Sequence, residues 1–99
     1  MKRIISRKRI LEFWEQRFSD SEQALKSWYA EAKNADWKSP ADIKSKYRSA
    51  SILKGGRVVF NICGNKYRLV AAIDYEASIV MIRFVGTHKE YDAVDAETV

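Results

Sequence analysis

The spacing of hydrophobic positions changes once along this chain, from a helical period in the first half to strand alternation in the second. Between Arg7 and Phe18, the residues Ile10, Phe13, Trp14 and Phe18 fall at helical intervals, with arginines and glutamates on the other side. That pattern predicts an amphipathic helix. Leu25, Trp28, Tyr29 and Ala32 repeat the stripe and predict a second helix ending near Asn34, opened by a capping box of Ser19 with Glu22. The short loop between them makes the two an antiparallel pair, and aromatics at this spacing are expected to be core. Ser39 and Pro40 then suit the cap and first position of a short third helix through Tyr47.

From Val58 the period drops to two. Val58 to Cys63 and Lys66 to Ile73 alternate on either side of the turn pair Gly64 and Asn65, which predicts a hairpin. With those two residues as the loop, Ile62 pairs with Tyr67, Asn61 with Arg68 and Phe60 with Leu69. Cross-strand partners share a face, so Val58, Phe60, Ile62, Tyr67, Leu69, Ala71 and Ile73 form an apolar face. Asn61, Lys66 and Arg68 lie on the other, with Val59 and Val70. A third strand, Ile79 to Gly86, keeps this division if Glu76 and Ala77 form an even loop. Ile82 is then expected opposite Ala71, Phe84 opposite Leu69, and Arg83 opposite Val70, diagonal to Arg68. Thr87 and Glu90 have the spacing of a capping box, so a last helix begins at His88, with His88 and Tyr91 on one side of it.

A short strand within Lys2 to Ser6 completes the order. The expected fold is α+β: a small antiparallel sheet with the two N-terminal helices packed on one face and a short C-terminal helix, leaving the second face open. At 99 residues the chain makes a single domain, 1–99.

Composition narrows the chemistry. One cysteine, Cys63, and one histidine, His88, leave neither an internal disulfide nor a zinc site. The basic start MKRIISRKR lacks the apolar region of a secretory signal, and no run reaches the length of a membrane span, so a cytoplasmic protein without membrane partners is expected. The net charge of +5 favours a polyanionic partner. Six bases face one acid between Lys38 and Arg57, whereas nearly half the acids lie between Asp74 and the end, in the second turn, the last helix and the tail. Taken alone, the basic stretch reads as a solvated loop and the tail, DAVDAETV, as frayed chain or as a shield over the basic face.

The series FNICGN, YRLV and IRFVGTHKEYD resembles the HigB branch of the RelE-like bacterial toxins. The resemblance covers the C-terminal half as ordered motifs, while the N-terminal half agrees in size and helical pattern. It implies a RelE-like fold and a ribonuclease of a type II toxin-antitoxin module that cuts mRNA, usually on the ribosome. It also implies a partner, a HigA-like helix-turn-helix antitoxin. Onto this sequence it carries Asn61, Arg68, Arg83, His88 and Tyr91, with Lys66 and Lys89 as neighbours. Arg68, Arg83, His88 and Tyr91 are then the catalytic candidates, and Asn61, Lys66 and Lys89 the RNA-binding ones.

Residue types give these roles a chemical basis. Cleaving RNA without a metal or cofactor requires a proton acceptor for the 2′-hydroxyl, cationic stabilisation of the phosphate, and protonation of the leaving oxygen. Arg68 and Arg83 suit the phosphate, because a guanidinium binds its oxygens in a fork. His88 suits proton transfer, and Tyr91 suits base stacking or proton donation. Each has an ordinary alternative: Arg68 and Arg83 as ion-pair partners of Asp74, Glu76 or Asp92, Asn61 as a brace for the hairpin, His88 as a surface residue, and Cys63 as packing. The alternative function is a noncatalytic RNA-binding or ribosome-associated module.

Overall fold

The alternating half of the chain forms most of a five-stranded sheet in the computed structural model, which describes residues 1–99. The strands are β1 (Arg3–Ile5), β2 (Ser51–Ile52), β3 (Arg57–Ile62), β4 (Tyr67–Asp74) and β5 (Ile79–Thr87), in spatial order β1-β5-β4-β3-β2. The helices are α1 (Lys8–Glu12), α2 (Glu22–Asn34), α3 (Pro40–Lys46) and α4 (His88–Asp92). The fold is α+β, and no helix is long and apolar enough to cross a membrane.

The hairpin has the register its alternation predicts, with Ile62 opposite Tyr67, Asn61 opposite Arg68 and Phe60 opposite Leu69. Gly64 takes φ +67°, a conformation open to glycine without a steric penalty, and the Lys66 amide closes the turn on the Cys63 carbonyl at 3.3 Å. One sheet face is apolar and buried. Val58, Phe60, Ile62, Tyr67, Leu69, Ala71, Ile73, Val80 and Ile82 pack there with Ile10, Phe13 and Trp14 of the first helical segment and with Leu25, Trp28 and Ala32 of α2. The aromatic stripes are therefore core.

Three local features depart from the sequence expectation. The first helix widens after α1 into a π-helical turn, Phe13–Arg17, in which the Phe18 amide donates to the Phe13 carbonyl at 2.8 Å. The wide turn brings Phe18 back onto Phe13 and Tyr67, each 5.2 Å away between ring centroids. No capping box forms between Ser19 and Glu22. Residues Ser19–Ser21 make a 3-10 turn instead, α2 starts at Glu22, and the buried Ser21 hydroxyl donates to the Phe18 carbonyl at 2.7 Å.

The sheet is mixed, not wholly antiparallel, because β1 runs parallel to β5. The helical segments carry the chain from one sheet edge to the other, and the three antiparallel steps from β2 to β5 then return it beside β1 in the same direction. The third departure lies inside β5. Ile82 does face Ala71, but Phe84 pairs with Val70 and Val85 with Leu69, so Arg83 is the extra residue of a β-bulge. The bulge moves Phe84 off the core face, onto a small second cluster with Val59, Val70 and Ala96.

Candidate active site on the second sheet face

The bulge separates the two arginines that even alternation would have made neighbours. Arg68 pairs across the sheet with Gly86, one position beyond Val85. It is 9% exposed and bends back over the hairpin turn, donating through Nη2 to Asn65 Oδ1 at 2.7 Å and through Nη1 to the Asn65 carbonyl at 3.1 Å. The remaining face of its guanidinium meets Tyr91, with Cζ 5.9 Å from the ring centroid. Arg83 points elsewhere: Nε donates to the backbone oxygen of Val99 at 3.0 Å, and Nη1 lies 3.2 Å from Met81 Sδ.

Helix α4 brings the other candidates to the Arg68 end. Its capping box is complete, with the Glu90 amide donating to Thr87 Oγ1 at 3.1 Å and the Thr87 amide donating to Glu90 Oε1 at 2.9 Å. Arg17 donates to Glu90 Oε2 at 2.7 Å, so the carboxylate also ties α4 to the first helical segment. These contacts hold the Glu90 carboxyl below the usual glutamate range, the Arg17 hydrogen bond having the largest effect. The His88 amide donates to the Lys66 carbonyl at 3.3 Å and fastens α4 to the hairpin turn.

On α4, His88 Nδ1 lies 3.2 Å from Asp92 Oδ2, one turn along, and the His88 side chain is half exposed. A carboxylate accepting from Nδ1 fixes the proton there and leaves Nε2 as the available lone pair. Asp92 is an orienting partner that residue types alone do not connect with His88, although i,i+4 spacing on a helix is a sufficient signal. Lys89 is exposed on the same helix.

The remaining candidates are partly committed to the fold. Lys66 Nζ and the Tyr67 hydroxyl both bond Asp20, at 2.5 Å and 2.6 Å. The pair lowers the Asp20 carboxyl from its ordinary range, chiefly through Lys66, and Asp20 in turn raises the lysine. Asn61 Nδ2 donates to the Ser49 carbonyl at 3.4 Å, bracing the loop beside the hairpin. Burial pushes the Cys63 thiol up, and Cys63 packs against the core, as suits a structural residue. No three histidine, cysteine, aspartate or glutamate side chains converge in a geometry that holds a metal ion. Arg68, His88, Tyr91 and the Lys66 backbone thus come together at one end of the face, and Arg83 does not join them.

A family model described as HigB_toxin, RelE-like toxic component of a toxin-antitoxin system, matches residues 21–94. Among curated proteins, the chain is 40% identical over 58 residues to the mRNA interferase toxin HigB of Escherichia coli strain K12, a match covering 57% of this chain and 56% of that protein. The mRNA interferase HigB proteins of Escherichia coli O157:H7 and Shigella flexneri match to the same extent, 40% over 58 residues. The matched region spans a little over half the length of these relatives, 56%.

Proposed function

The chain belongs to the HigB family of RelE-like toxins of toxin-antitoxin systems, and from that premise we propose that it is an endoribonuclease that cuts mRNA, on the ribosome, without a metal or cofactor. The observation that carries this reading is the pairing of His88 Nδ1 with Asp92 on a helix whose Tyr91 ring lies over Arg68. A proton acceptor, its orienting carboxylate and an aromatic face lie on one short helix, and the fixed cation of β4 lies against that helix. The relatives are mRNA interferases, which supports the same chemistry.

His88 Nε2 takes the proton of the 2′-hydroxyl as that oxygen attacks the adjacent phosphorus. The bond from phosphorus to the 5′-oxygen breaks, giving a cyclic phosphate and a 5′-hydroxyl end. Arg68 stabilises the charge that develops on the phosphate oxygens, and its hydrogen bonds to Asn65 hold it in place before substrate arrives. Tyr91 stacks on a base or supplies the leaving oxygen with a proton. Asn61, Lys66 and Lys89 contact the RNA backbone around this centre, and Arg83 contacts it further along the sheet. The partner is a HigA-like antitoxin with a helix-turn-helix domain, and the site of action is the cytoplasm.

Primer extension on cellular mRNA after induction tests the reading. Discrete new 5′ ends are expected, and they should disappear in His88→Gln. Growth arrest with intact mRNA would replace the nuclease by a noncatalytic ribosome-binding module. Copurification with the protein encoded beside it tests the antitoxin.

A further inference from the structure

A groove of about 220 Å³ lies between the first helical segment and β5, at the edge where β5 has lost its neighbour. β1 pairs only with Ile79–Met81, so from Arg83 onward no strand covers that edge. The bulge sits there, and the two residues after it, Phe84 and Val85, form the groove floor with Phe13. Arg9, Glu12, Gln16 and Arg17, spaced along one face of the helical segment, form its wall. Glu12 is matched by Lys8 at 3.5 Å, whereas Arg9 is exposed and has no carboxylate partner. Arg17 is partly committed. Its Nη2 donates to Glu90 Oε2 at 2.7 Å, and its guanidinium lies over the Phe13 and Phe18 rings, 5.4 Å and 5.0 Å from their centroids.

We propose that this groove is the docking site for an extended, acid-bearing segment of the antitoxin, which lies along β5 and places a carboxylate between Arg9 and Arg17. Charge complementarity sets the sign of the occupant, since two arginines stand there beside one glutamate that Lys8 already neutralises. Its class follows from donors and acceptors. The wall offers an acceptor in Glu12, donors in Arg9 and Arg17, and both in Gln16. A peptide backbone answers both kinds, whereas an RNA backbone supplies chiefly phosphate acceptors and meets Glu12 as a like charge. The open edge of β5 likewise offers amides and carbonyls to a strand laid beside it. The groove is also coupled to the candidate active site. A carboxylate that engages Arg17 competes with Glu90, which closes the capping box of α4 and so sets the helix that carries His88 and Tyr91. This inference rests on the reading that an antitoxin holds the toxin, and not on the cutting of RNA.

The test titrates the full chain with the protein encoded beside it. Arg9→Glu should weaken the complex by about tenfold or more, the effect of losing a charged hydrogen bond. Adding Gln16→Glu should weaken it further. Both positions are exposed, so the melting temperature should not move. Glu90→Gln should tighten the complex several-fold, because Arg17 is released to the partner, and Arg17→Gln in the same chain should remove that gain. Unchanged affinity in the Arg9 and Gln16 double variant, or a Glu90→Gln complex no tighter than wild type, would overturn the proposal. A short 2′-O-methyl RNA, which binds without being cleaved, is the second probe: loss of RNA binding in Arg9→Glu with the protein complex intact would assign the groove to RNA instead. A wild-type chain that forms no complex discards the antitoxin and the groove together, whereas a complex indifferent to Arg9 and Gln16 keeps the antitoxin and discards the groove.

Discussion

The guanidinium carbon of Arg68 stands 5.9 Å from the centroid of the Tyr91 ring, while the same guanidinium donates to the backbone and side-chain oxygens of Asn65 in the hairpin turn. One side chain thus sets the turn that carries Lys66 and supports the aromatic face of α4. Its hydrogen bonds make it part of the fold as well as of the candidate site.

Arg68→Ala should therefore lower stability and cleavage together. Losing hydrogen bonds from a charged, nearly buried group costs about 1–3 kcal/mol, read as a lower denaturation midpoint. Arg68→Lys keeps the charge but not the fork, and should recover part of the activity and less of the stability. Full stability in Arg68→Ala would show the turn to be self-sufficient.

Proton transfer at His88 predicts a graded series. His88→Gln should reduce single-turnover cleavage by roughly 10²- to 10⁴-fold, as removal of a general acid or base typically does. Asp92→Asn should reduce it less, because the imidazole remains but its tautomer is no longer fixed. Tyr91→Phe, which keeps the ring over Arg68, should be milder than Tyr91→Ala. If Tyr91→Phe inactivates as fully as Tyr91→Ala while His88→Gln stays active, the phenol is the proton-transfer group.

Glu90 predicts an acid-side loss of stability. Its carboxyl is held below the ordinary value of 4.5 by Arg17 and Thr87. As pH falls, the unfolded chain takes up the proton first, so the contribution is complete above 4.5 and is lost as pH drops through the lower folded value. Melting temperature followed through this range should fall less steeply in Glu90→Gln than in wild type. Asp20 is lowered in the same direction, so Asp20→Asn should reduce the slope further.

Gly86 couples the bulged strand to α4. A Cβ there would lie 2.5 Å from Phe84 Cζ and 3.2 Å from Glu90 Cβ. Gly86→Ala should cost about 1–3 kcal/mol as an overpacking change and shift α4, lowering cleavage. Phe84→Leu in the same chain should restore part of both losses. Additive effects in the double variant would show that the ring does not transmit the strain.

Much of the site is legible in the sequence because its determinants are local. The hairpin register follows from alternation about Gly64 and Asn65, and places Asn61 beside Arg68. The Thr87 and Glu90 spacing predicts the start of α4, and with it the shared side of His88 and Tyr91. Arg57 carries no such signal, because the alternation begins at Val58 and leaves the arginine in the preceding loop. The orienting role of Asp92 is available from helical spacing alone.

The sequence by itself determined which residues of the helices and of the hairpin face the core and where the chain turns, since both depend on a period and on the conformational freedom of a few residues. Tertiary structure decided the rest. A single extra residue in β5 turned Arg83 away from Arg68 and put Phe84 on the second face, and alternation contains no sign of which position will bulge. The direction of β1 depended on how the helical segments cross the sheet. The contacts of Arg57 and Arg83 with Val99 join residues far apart in the chain, and a local period carries no record of such contacts.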